Sequence, residues 1–99
     1  MSFSIKFYKK AYREYFAAYE WYEEQSPGLG DRFENEVERL IDNIAKYPLI
    51  YPNKKYDCRE SKIEDFPYLI VYKMYPAKNI IYIVSIFHTS RNPRKKYRK

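Results

Sequence analysis

The chain is poor in sulfur, imidazole and glycine. Its 99 residues include one cysteine, Cys58, one histidine, His88, and two glycines. A single cysteine cannot close an internal disulfide, and one Cys with one His falls short of a structural zinc site. A reducing compartment is therefore expected, with no metal and no cofactor. Long apolar runs are missing too. No stretch approaches the ~20 residues that cross a bilayer. The opening MSFSIKFYKK reaches charge too early for the apolar centre of a secretion signal. A cytoplasmic protein with no membrane attachment and no small-molecule substrate is the expectation.

Acidic residues are absent from one end. The closing stretch HTSRNPRKKYRK carries six bases, Arg91, Arg94, Lys95, Lys96, Arg98 and Lys99, and no acid. The other 13 bases are matched by 13 acids, so the whole net charge of +6 sits at that end. Such a run binds phosphates with little sequence preference and speeds association with a polyanion. It can equally be a solvated terminus.

What is abundant is aromatic. Tyrosine accounts for 13 residues, phenylalanine for 6 and tryptophan for 1. At this length one small domain with a modest core is possible. Phe3, Ile5 and Phe7 alternate with polar residues and predict a short strand. From Lys9 the period becomes helical. Tyr8, Tyr12, Tyr15, Phe16, Tyr19 and Tyr22 recur at three and four and predict a core-facing stripe. That spacing favours packing over a base-stacking platform. Ser26-Pro27-Gly28 ends the helix.

A second helix follows, with Leu29, Phe33, Val37, Leu40, Ile41 and Ile44 on one face and Pro48 as its stop. The short link makes the two an αα-hairpin. Residues 20–42 hold eight acids and two bases, so the hairpin is the acidic region. Residues 55–63 read as a strand with one wet face, 68–75 as a second strand, and 80–87, almost wholly apolar, as the central strand. The expected fold is α+β, one small domain in the order β-α-α-β-β-β. An antiparallel twisted sheet packs on the αα-hairpin. Residues 1–93 form the domain and 94–99 a basic tail, an electrostatic appendage that a partner would order.

The element order, WYEEQSPGLGDRFENEVERLIDNI (21–44), RESKIEDFPYLIVYKM (59–74) and HTSRNP (88–93) together resemble the RelE/ParE superfamily. These are bacterial toxins of type II toxin–antitoxin modules. The likeness spans nearly the whole chain, and FPYLIVY with HTSRNP is closer to the ParE, plasmid-stabilisation branch. It implies a cognate antitoxin as partner. It implies one of two targets: RelE-like members cut mRNA in the ribosomal A site, whereas ParE-like members poison DNA gyrase.

Metal-free RNA cleavage needs a base for the 2′-OH, an acid for the leaving oxygen, and cations for the phosphate. Arg59, His88 and Arg91 are the candidates if the protein is a ribonuclease, with Arg59 expected to approach His88 across the sheet. Alternation puts His88 on the face of Val84 and Ile86. Tyr97 matches the late aromatic of some RelE-like members. Lys54, Lys55, Lys62, Arg94, Lys95, Lys96 and Arg98 are candidates for nucleic-acid or target binding. Trp21, off the aromatic stripe, is a candidate antitoxin contact. Cys58 reads as structural. The sparse catalytic set favours a gyrase poison over a ribosome-dependent endoribonuclease. A non-toxic RNA-binding module is a remote third reading, since the element order and motifs of an RRM are absent.

Overall fold

A computed structural model describes residues 2–97. Strand β1 (Ser4–Phe7) leads into helix α1 (Lys9–Gln25) and helix α2 (Leu29–Lys46). Strands β2 (Cys58–Lys62), β3 (Tyr68–Tyr75) and β4 (Ile80–His88) follow. The sheet order is β1-β4-β3-β2, which places β4 inside the sheet, as its apolar composition predicts. The pairs β2–β3 and β3–β4 are antiparallel. Strand β1 departs from the expected antiparallel sheet: it runs parallel to β4, Ser4 opposite Ile80 and Phe7 opposite Ile83. Two hairpin reversals return β4 to the direction of β2, and that direction is also β1's. The sheet is therefore mixed. Among the described residues no helix is long and apolar enough to cross a membrane.

The turn between the helices explains the EEQSPGLG segment. Gly28 adopts φ 89°, a left-handed conformation that glycine takes without cost. The carboxylate of Glu23 then accepts hydrogen bonds from the N–H groups of Gly28 (3.0 Å) and Gly30 (2.8 Å). It thus satisfies donors that the start of α2 leaves unpaired. Gly30 must lack a side chain, since a Cβ there would lie 2.8 Å from the Tyr19 carbonyl oxygen. Across the hairpin, Tyr19 donates to Asp31 (2.6 Å) and Tyr15 to Glu38 (2.8 Å).

The sheet is buried on both faces. Phe33, Val37, Ile41 and Ile44 of α2 and Tyr22 of α1 pack on Ile70, Tyr72, Ile81, Ile83 and Ile86. The other face holds a smaller cluster of Cys58, Val71, Val84 and Phe87, with Tyr8, Leu69 and Tyr97 against it. A register shift at Val71/Tyr72 leaves Val84 without a partner on β3. Such an extra residue breaks strict alternation. Val84 therefore joins the second cluster, and His88 shares a face with Ile86 but not with Val84.

The aromatic stripe of α1 is also rotated from its expected position. The side chains that turn inward are Ala11, Tyr15, Ala18 and Tyr22, whereas Tyr12 (63% exposed) and Phe16 (55%) turn outward. The two alanines let the helix lie close to the sheet, so the bulky rings beside them have no space inside. Strand β2 begins at Cys58, later than residue 55, because Tyr56 (φ 56°) and Asp57 (φ 60°) are left-handed and form a turn.

Candidate functional site

The C-terminal residues fold back over the helix-free face of the sheet. After β4 the chain turns at once, with Arg91 N–H donating to the His88 carbonyl at 3.0 Å. The Asn92 side chain accepts from the Arg94 N–H (3.0 Å) and starts a short 3-10 turn, Pro93–Lys95. Beyond it Lys96 and Tyr97 reach the buried carboxylate of Glu60 on β2. The Lys96 ammonium pairs with Glu60 Oε1 at 3.2 Å, and the Tyr97 hydroxyl donates to Oε2. Lys96 also lies over the Phe87 ring, 5.4 Å from its centroid, and Tyr97 meets the Tyr56 ring edge-on at 5.5 Å. Lys10 donates to the Lys95 carbonyl at 2.6 Å. Lys96 and Tyr97 are thus packed on the sheet, while Arg94 and Lys95 stay exposed. Composition counts charges, whereas one buried acid on β2 decides where this stretch goes. Arg98 lies outside the described residues.

This segment and the turn before β2 enclose an open cleft of about 680 Å³ lined by Lys55, Tyr56, Pro93, Arg94, Lys96 and Tyr97. Its polar lining is cationic. Burial, then the hydrogen bond to Glu60, raises Tyr97 above the usual phenol range, so it remains a proton donor.

A second polar cluster forms at the far end of β4, on the helix side. Strand β1 pairs only as far as Ile83, so the edge of β4 beyond it meets no strand. Glu14 of α1 covers it, with Oε1 accepting from Ser85 Oγ (2.8 Å) and from the Ile86 N–H (3.1 Å). Its Oε2 holds Arg91 at 3.1 Å. His88 stacks edge-on against Tyr68 at 4.9 Å, and its Nδ1 lies 2.8 Å from Ser90 Oγ. Arg13, Glu14, Trp21, Tyr68, His88 and Arg91 line a pocket of about 390 Å³. His88 and Arg91 therefore share a rim, as the ending HTSR suggests, and Trp21 stands on it, 55% exposed.

Arg59 does not join them. It lies opposite Tyr72, whereas His88 lies opposite Tyr68, with β3 between the two. Its guanidinium donates to the Tyr51 carbonyl at 2.6 Å. The sequence does not display strand order, and that order separates the pair. Lys62 bonds the carbonyls of Ile63 and Phe66 near α2. The Lys54 side chain is exposed, and its backbone N–H bonds the Cys58 carbonyl. Cys58 is buried in the second cluster, and burial raises its thiol. No group of three or more Cys, His, Asp or Glu could hold a metal among the described residues. The residues that composition fails to mark are the two carboxylates, Glu14 and Glu60. Glu14 left a faint signal, an acid between Ala11 and Ala18 on a packed face.

A helical hairpin backing a four-stranded sheet, in the order β-α-α-β-β-β, is the fold that solved RelE/ParE toxins share with this chain. The chromosomal ParDE toxin–antitoxin system from P. aeruginosa contains a chain of this fold. Its TM-score is 0.76 at 16% identity, over 90% of this chain and 98% of that one. The E. coli toxin RelE, a double arginine-to-alanine variant in the free state, gives 0.73 at 18% identity, over 98% and 95%. No curated protein matches in sequence. Residues 5–93 match the family described as the ParE toxin of the type II toxin–antitoxin system parDE. The chain belongs to that family.

Proposed function

We propose that this toxin arrests bacterial growth by binding DNA gyrase, and that it cuts no RNA. The observation that carries the reading is the dispersal of the cations. Arg59 is held by the Tyr51 carbonyl, Arg91 by Glu14 and Lys96 by Glu60. A nuclease brings base, acid and phosphate clamp to one phosphate, whereas a binding poison needs only a surface. The cationic cleft supplies attraction toward a DNA-bound target, and the rim with Trp21 is a contact for the antitoxin. The RelE-like reading has one observation in its favour: Tyr97, Glu60 and Lys96 are in mutual contact beside Lys55 and Arg94. There Tyr97 would act as the acid for the leaving oxygen.

Induction of the chain alone in a bacterium, with mapping of mRNA 5′ ends and supercoiling by purified gyrase, tests both readings. Loss of supercoiling with unchanged mRNA ends is expected. New codon-phased ends with unaffected gyrase would overturn the gyrase reading.

A further inference from the structure

Among the described residues, four of the seven large apolar side chains that face solvent lie in one loop, between α2 and β2. They are Tyr47, Leu49, Ile50 and Tyr56. Leu49 (67% exposed) and Ile50 (65%) are adjacent, in a turn closed by the Ile50 N–H on the Tyr47 carbonyl at 3.3 Å. Exposed apolar side chains scattered singly need no explanation, but a gathering of them marks a contact surface.

The loop is fixed from beneath. The buried Tyr72 hydroxyl donates to the Pro48 carbonyl, and Asn43 of α2 donates to the Tyr51 hydroxyl. The Arg59 guanidinium donates to the Tyr51 carbonyl at 2.6 Å. The Glu60 N–H donates to the Pro52 carbonyl at 3.2 Å, which ties the loop along the outer edge of β2. Pro48 and Pro52 restrict the backbone further. Side chains from α2, β2 and β3 thus hold a segment that points its own aliphatic groups at water. Apolar groups already fixed in place bind at a lower entropic cost.

The charge of the loop has one sign. Residues 46–56 contain Lys46, Lys54 and Lys55, all exposed, and no acid. At its far end Lys55 and Tyr56 line the cationic cleft with Arg94. The apolar turn is therefore continuous with the surface that attracts a polyanion. Its occupant must offer an apolar pocket beside negative charge, and a protein that holds DNA offers both. A second copy of the chain fits poorly, since a two-fold contact would oppose two sets of lysines. A bilayer would hold two aliphatic side chains only weakly.

We infer that the α2–β2 loop docks in an apolar pocket of the target protein, with Leu49 and Ile50 as anchors, beside the DNA which that protein holds. This rests on the gyrase reading and adds the surface that recognises the protein part of gyrase.

The test compares the native chain with the double variant Leu49→Ser/Ile50→Ser in three measurements. These are inhibition of supercoiling by purified gyrase, affinity for a duplex DNA fragment, and affinity for the protein encoded alongside the chain. Both side chains face solvent, and circular dichroism and Tm verify that the variant folds. Loss of two anchors should raise the concentration for half-inhibition about thirtyfold or more. Duplex affinity and its salt slope should stay native. Unchanged half-inhibition by the folded variant overturns the loop assignment. An equal loss of duplex affinity makes the loop a DNA contact and also overturns it. Lost affinity for the neighbouring protein, with gyrase inhibition retained, makes the antitoxin the occupant and overturns it too. Failure of the native chain to inhibit gyrase overturns instead the reading on which the inference rests.

Discussion

The helical hairpin and the C-terminal segment are both held by carboxylates, but in different ways. In the hairpin the partners are close in sequence. Glu23 bonds Gly28 and Gly30 within one turn of chain, and Tyr15 and Tyr19 meet acids on the very next helix. In the C-terminal segment a single acid, Glu60, receives Lys96 and Tyr97 from 36 and 37 residues away. The hairpin can form early and locally, with several bonds in parallel. The closing segment depends on a sheet already assembled and on one carboxylate.

Four changes would break or sharpen this contrast. The largest effect is expected from Gly30→Ala. Its methyl group would press on a main-chain carbonyl that cannot move without shifting α1, so a loss of about 2–3 kcal/mol is expected, read as a Tm drop of roughly 10 °C or more. If Tm holds, the close approach of the helices is not what the glycine is for. Next comes Glu60→Gln. It leaves Lys96 without its counter-charge in a largely buried place, and about 1–3 kcal/mol should be lost. Limited trypsin digestion should then cut at Lys95 and Lys96 well before the hairpin. Equal protection in variant and native chain would show that apolar contact alone holds the segment.

Third, salt should separate the two regions in function. If the cleft cations Lys55, Arg94 and Lys96 neutralise three phosphates, raising salt from about 50 to 200 mM should weaken duplex binding roughly fortyfold. Lys55→Ala should lower the slope by about one phosphate, while Lys78→Ala, outside the cleft, should not.

The smallest effect is alkaline. Burial raises Tyr15, and the bond to Asp31 raises Tyr19 to about 12, from an ordinary value of 10.0. A phenol whose folded pKa is raised stabilises the fold fully below its unfolded value, and that contribution fades as pH rises toward the folded one. Stability should therefore be flat to about pH 9 and decline above about pH 10. In Tyr15→Phe the decline should be shallower, and an identical pH profile would remove Tyr15 from the account.

The helical hairpin was legible because its signals are local. Pro27, Gly28, Pro48 and a three-four apolar period fix two helices without reference to anything distant. The three-strand meander was legible too, through FPYLIVY, the PAKN turn and an all-apolar last strand. Strand β1 was visible but its direction was not, since pairing with β4 joins residues about 76 positions apart. The rotated stripe on α1 was misleading for a physical reason. Aromatic periodicity marks which rings could be buried, and it is the two alanines that decide which are. In the site, HTSR pointed to the rim, where His88 and Arg91 do share a pocket. Arg59 was misplaced because strand order is not written in the strand. Glu14 and Glu60 were overlooked because a reading for positive charge passes over the acids that hold it.

The parallel pairing of β1 with β4 has a consequence for synthesis. The first strand emerges from the ribosome with nothing to lie against, and its neighbour is the last strand to be made. The helical hairpin and two further strands separate them, so the sheet closes only once β4 has been made. Any product cut short before Ile80 lacks the central strand, both polar clusters and the basic segment. A message interrupted before β4 therefore yields a chain without a finished sheet, and the toxin fold exists only once that strand has been made.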